Sequence, residues 1–255
     1  MQTREEPIEK MIQDFLNTVE YFDSEALKLQ AALQNVGIRG NEVAVAIGSC
    51  RFDVTSFALV FVETLKQGWA SLHEVSCLPT LERLRRFARR LEGRVDERYD
   101  ASDRGLACYK AMFYFVRAYQ DAVARAFRLV YGQDWGKFTS MHDILKNKDQ
   151  PPGSELVSKL PQYADWFYEF RNKRNEIKLG VSLAVGPDLS IIFVTEEVRN
   201  DGLRYIVDMR RIFRFEEMQL ALIRSTEVTR FCKALAEDKG RGGFGFRSRS
   251  SSRSS

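Results

Sequence analysis

A chain of 255 residues and 29.4 kDa has the size of one large domain or two small ones. With 44% hydrophobic and 29% charged residues it has a globular balance, which excludes a disordered, collagen-like or fibrous chain and allows a sizeable core. The formal charge of +4 belongs to the C-terminus: residues 239–255 hold Lys239, Arg241, Arg247, Arg249 and Arg253 and no acid, and without those five the remainder stands at −1. The basic balance is therefore no evidence that the folded part attracts nucleic acid.

The longest unbroken apolar run, Phe57-Ala58-Leu59-Val60-Phe61-Val62, is six residues. That is far short of the ~20 that cross a bilayer, so no membrane span is expected. Arg4, Glu5 and Glu6 near the start do not make a secretory signal, and a cytoplasmic location is the expectation. Cys50, Cys77, Cys108 and Cys232 are scattered without a Cys-x-x-Cys pair, and His73 and His142 are the two histidines. Zinc sites, disulfide frameworks and His-centred triads have little material here, and neither a metal nor a cofactor is expected. Phosphate loops of the G-x-x-x-x-G-K or G-x-G-x-x-G kind are absent.

In chain order, apolar residues from Ile8 to about Val36 recur at three and four residues and predict a core-facing helix ended by Gly37 and Gly40. Val43 to Leu78 is read mostly as helix from Phe57, Phe61, Leu65 and Leu72. After Pro79-Thr80, the stripe Leu81, Leu84, Ala88, Leu91 and Val95 opposes Arg83, Arg85, Arg86, Arg89, Arg90 and Arg94, a basic amphipathic helix. Its bland reading is a solvated face; its functional reading is contact with an RNA backbone. A polar break at Asp100–Asp103 precedes a long helix, Leu106 to Val130, closing at Gly132.

A loop with Trp135 and Gly136, a short helix Met141 to Lys146 and a turn at Pro151-Pro152-Gly153 follow, then a helix from about Pro161 to Leu179. Beyond Gly180 the period becomes strand-like, with a hairpin over Val181–Thr195 turning at Gly186-Pro187-Asp188. A third strand is expected over Leu203–Val207, and helical spacing returns over Phe215–Leu235. Residues 239–255, rich in Gly, Ser and Arg, are expected to be disordered. The fold class is mainly α: a helical bundle with a small antiparallel β-hairpin or three-stranded meander near the C-terminus. It divides into an N-terminal helical region (1–99), a helical core (100–182), a hairpin or meander with a C-terminal helix on the same bundle (181–236) and the tail (239–255).

Arg171, Arg174, Asn175 and Lys178 stand at spacings 0, +3, +4 and +7, one stripe of a helix. Like charges so placed repel, which suits a phosphate ligand or an acidic partner surface; a solvated helix face near a C-terminus is the competing reading. The string Phe170-Arg171-Asn172-Lys173-Arg174-Asn175-Glu176-Ile177-Lys178-Leu179-Gly180 resembles the signature helix of the HEPN superfamily, all-helical nucleotide-binding and RNase-like domains. The resemblance covers about residues 100–182, with Arg174 and Asn175 matching the motif and Leu179 where the family has His.

It implies an RNA-associated domain, a degenerate or atypical metal-independent endoribonuclease, that pairs as a homodimer through the 161–179 helix. In it Arg174 and Asn175 would be catalytic, and Arg171, Arg174 and Lys178 would contact phosphate. Leu179 cannot exchange a proton, which argues against full activity, so a non-enzymatic helical interaction or dimerisation module is the alternative. His142 is read as a first-turn helix residue beside Asp143 and His73 as an ordinary residue; neither is assigned to the chemistry.

Overall fold

A computed structural model describes residues 6–76, 97–133, 140–178, 182–185, 191–198, 202, 204–212 and 214–241. Seven helices occur among them: α1 (Glu6–Gln34), α2 (Ile38–Ser76), α3 (Glu97–Val130), α4 (Met141–Lys146), α5 (Gly153–Lys159), α6 (Pro161–Lys178) and α7 (Arg214–Arg241). The expected basic helix over 81–95, the Trp135–Gly136 loop, the Gly186–Asp188 turn, Leu179 and residues 242–255 lie outside the described residues.

The four long helices close into a ring, with α1 against α2 and α7, and α3 against the same two. Each presents the three-and-four spacing that makes a continuous seam. On α1 the buried side chains are Phe15, Val19, Phe22, Ala26, Leu29 and Leu33. They meet Ala44, Ile47, Val54 and Phe61 of α2, Tyr119, Val123 and Phe127 of α3, and Leu222, Val228 and Cys232 of α7 in one core. Large side chains in such a seam contribute about 1.5–3 kcal/mol each by leaving water.

Polar contacts fix the register. Phe22 meets the Tyr119 ring edge-on at 4.9 Å, and the Tyr119 hydroxyl shares a 2.7 Å hydrogen bond with Thr229. Burial pushes the Tyr119 phenol well above its ordinary pKa, so that hydroxyl keeps its proton. Buried Glu25 receives Lys28 at 2.6 Å and Lys233 at 2.9 Å, tying α1 to α7.

The helix boundaries differ from expectation in four places, each for a local reason. Gly37 alone makes the first turn, at φ +98°, and Gly40 lies inside α2. A Cβ on Gly40 would stand 2.0 Å from the Leu33 carbonyl oxygen, so the glycine there serves the close approach of two helix ends. The polar Asp100–Asp103 stretch is helical, within the first two turns of α3, where Asp100 close to the helix start is favoured by the dipole. The chain after Pro152 winds into α5 instead of only turning. Finally, α7 runs to Arg241, past the point where disorder was expected, because the Lys239 ammonium donates to the Leu129 and Val130 carbonyls at the end of α3.

Between α6 and α7 the backbone runs through three extended segments, β1 (Ser182–Val185), β2 (Ile191–Val198) and β3 (Arg204–Ile212). In α2 the segment Ile38–Thr64, mean hydropathy 1.6, is long and apolar enough to cross a membrane by length and composition, although its unbroken apolar runs are short. Small and weakly polar residues interrupt those runs without lowering the average. Val43, Ala44, Ile47, Val54, Ala58, Phe61 and Val62 of the same segment are buried in the bundle.

Candidate functional site

The orientation of α6 follows from its aromatics. Tyr163, Trp166, Phe167 and Phe170 are buried, with Phe170 stacked on Phe113 of α3 at 4.6 Å. Lys173 ion-pairs with the buried Glu217 carboxylate of α7 at 2.5 Å. Those contacts set Phe167 against Arg117, which lies past the middle of α3. The Arg117 guanidinium lies 4.8 Å over the Phe167 ring. At 1.5 Å rise per residue Arg171 and Arg174 follow Phe167 by about 6 and 10 Å.

A short helix supplies the histidine. Ser140 and Asp143 form a capping box: the Ser140 hydroxyl accepts from the Asp143 amide, and the Asp143 carboxylate accepts from the Ser140 amide at 3.0 Å. The Met141 amide, also free at a helix start, donates to Asp121 Oδ1 of α3 at 2.9 Å. So pinned, His142 stands against the Tyr168 ring of α6, edge to face with centroids 6.0 Å apart. Arg171 lies three residues beyond Tyr168 on the same helix face.

The cluster therefore comprises Arg117, Arg171 and Arg174, His142 and two carboxylates, Asp121 and, beside His142, Asp143. Arg117 is 8% exposed and reaches Asp121 at 3.1 Å. Burial first lowers its pKa; Asp121 opposes that shift, and the fields of Arg174 and Arg171 add to it. Burial likewise raises the Asp121 carboxyl, against Arg117, the Met141 amide and Arg174. His142 is held below its ordinary value by burial, then by Arg171, which outweigh Asp143; it is neutral at pH 7.

Four buried polar atoms here have no partner among the described residues: Arg117 Nη1, Arg174 Nε, His142 Nδ1 and the Tyr163 hydroxyl oxygen. Arg174 Nη2 donates to Asn175 Oδ1 at 2.9 Å, so the amide holds the guanidinium. Three guanidiniums against the Asp121 and Asp143 carboxylates leave an excess of positive charge and spare donors, a chemistry that suits an anion.

The four stripe residues thus separate. Arg171, Arg174 and Asn175 are half-buried beside α3 and α4, whereas Lys178 is exposed at the helix end. Arg117, Asp121 and His142 were not among the residues singled out for the site. Their signal was present as the i, i+4 pair Arg117–Asp121 and the Ser140-x-x-Asp143 box around His142, but neither says what it faces. A separate pocket of about 200 Å³ between α6 and α7 is lined by Trp166, Phe170, Lys173, Glu216, Glu217 and Leu220, without Arg171 or Arg174. Among the described residues no group of three or more His, Cys, Asp or Glu could hold a metal ion. No protein-family model, no curated protein and no solved structure matches the chain.

Proposed function

We propose that the chain is an HEPN-like, RNA-associated helical domain, cytoplasmic by the sequence reading, that holds a phosphodiester at the junction of α3, α4 and α6. The observation that supports this reading is that Arg117, Arg171 and Arg174 feel one another's fields beside two carboxylates, Asp121 and Asp143, with donors left unpartnered among the described residues. In it the guanidiniums of Arg171 and Arg174 contact phosphate oxygens, Asn175 orients Arg174, and Lys178 adds charge at the rim. Metal-independent cleavage is the stronger form of the proposal. There the proton exchange that Leu179 cannot provide falls to His142, which stands beside the same helix. We also read 182–212 as a small antiparallel meander appended to the bundle, supported by the order β1-β2-β3 and the left-handed Gly202 (φ +81°) before β3.

The test is a titration of single-stranded RNA against the full chain at several salt concentrations, with Arg174→Gln in parallel. Removing one phosphate-binding cation flattens the logarithmic salt dependence by about 0.7 for a single strand. Unchanged affinity and slope in Arg174→Gln would place RNA binding elsewhere, for example on the basic tail, and end this reading. For cleavage, activity in the presence of a chelator that disappears in His142→Gln is the expected result; activity that survives His142→Gln excludes the role given to it.

The alternative of a non-enzymatic interaction module has one observation in its favour. The exposed side of α6 is polar, with Gln162, Asp165, Glu169 and Asn172, so pairing through α6 would join polar faces. Large apolar side chains are exposed instead on α2.

A further inference from the structure

Ile38, Val45, Phe52 and Leu59 of α2 are 82%, 69%, 64% and 50% exposed, and they recur every seven residues. Four residues after each stand Glu42, Ser49, Ser56 and Glu63, and Lys66 continues the first series. A seven-residue repeat of this kind is a helix-pairing seam, since 3.5 residues per turn keeps one row facing a partner helix. Among the described residues nothing covers it: the opposite side of α2, with Ala44, Ile47, Val54 and Phe61, already packs on α1 and α3.

We propose that this face of α2 is a self-association surface on which α2 of a second copy packs antiparallel. The composition selects that occupant. In the middle of the row Phe52 and Leu59 alternate with Ser49 and Ser56, with Glu42, Glu63 and Lys66 toward its ends, so the middle self-complements when the copies run in opposite directions about an axis beside residue 54, with Val45 opposite the aliphatic stem of Glu63. Phe52 then meets Ser56 of the other copy, and Leu59 meets its Ser49. Lys66 meets its Glu42, an ion pair made twice by symmetry. A lipid surface fits less well, because Glu42, Glu63 and Lys66 lie in the stripe itself.

The experiment is sedimentation equilibrium of the full chain over a concentration series. The wild type is expected at twice 29.4 kDa. Phe52→Glu, a change at an exposed position, raises the dimer dissociation constant about 30-fold or more while the far-ultraviolet circular dichroism spectrum stays that of the wild type. Lys66→Glu weakens the dimer, and the double variant Glu42→Lys/Lys66→Glu restores it. Arg174→Gln stays dimeric, which separates this surface from the phosphate site. A wild-type monomer at every concentration, a dimer indifferent to Phe52→Glu, or a double charge swap that fails to restore pairing overturns the proposal. Binding of a monomeric wild type to phosphatidylcholine vesicles, abolished in Phe52→Glu, would assign the face to lipid and overturn it too.

Discussion

The Arg117–Asp121 pair offers a perturbation that separates folding from function. Both groups are largely buried, 3.1 Å apart, and burial is the first cause of the pKa shift of each. Removing Asp121 leaves Arg117 buried with Arg171 and Arg174 opposing its charge, and removing Arg117 strips Asp121 of its ion-pair partner; breaking such a pair costs about 3–5 kcal/mol. Arg117→Met and Asp121→Asn should each therefore destabilise by roughly that amount, about 6–20 °C in Tm at 2–4 °C per kcal/mol for a chain of this size. The double variant removes both charges. Met fills the space of the Arg stem under Phe167, and Asn keeps a carbonyl oxygen for the Met141 amide. The net change should then be within about 1–2 kcal/mol of the wild type, a coupling of at least about 3 kcal/mol. Urea unfolding followed by circular dichroism measures all four proteins. If the single effects simply add, the pair is not desolvated and the electrostatic account of this site is wrong. The double variant, folded but missing one guanidinium, should bind RNA more weakly than the wild type.

Three other outcomes are expected. RNA affinity should rise as pH falls below about 6.5, because a bound phosphodiester favours the imidazolium of His142 that burial, Arg171, Arg117 and Lys146 disfavour against Asp143. Its depressed folded pKa also means stability is complete above 6.5 and declines below it; both trends should be absent in His142→Gln by titration and by thermal melts. Gly40→Ala sets a methyl 2.0 Å from the Leu33 carbonyl and should cost about 3 kcal/mol, read as a lower urea midpoint; a wild-type midpoint would show that the α1–α2 turn yields freely. Burial pushes Glu25 up, but the hydrogen bonds of Lys28 and Lys233 outweigh it and hold its carboxyl below the ordinary range. Its contribution is present above the unfolded pKa and disappears as pH falls through the folded one. Glu25→Gln should cost about 1–3 kcal/mol at neutral pH and little at pH 2, compared by urea unfolding at both.

The order and extent of most helices could be read from the sequence because each long helix carries its own record of burial. Phe15, Val19, Phe22, Ala26, Leu29 and Leu33 repeat at the helical period, as do the apolar positions of α3. That period is a local property and needs no knowledge of a partner. Boundaries were less legible where a residue type common in turns also occurs inside helices: Asp100–Asp103 looked like a break and lies within α3, and Gly40 looked like a terminator and permits a close approach.

The stripe Arg171, Arg174, Asn175 and Lys178 was visible from spacing, and tertiary structure divided it. The aromatic residues of α6 and the Lys173–Glu217 pair set the rotation of the helix. Whether a cation meets water or other cations depends on α3 and α4, which precede α6 in the chain. The sequence determined which side chains share a face. Packing of α3, α4 and α6 decided that Arg117 and His142 join that face, and packing of α2 on α1 and α3 left Ile38, Val45, Phe52 and Leu59 uncovered among the described residues, because charge and burial act through space while periodicity acts along the chain.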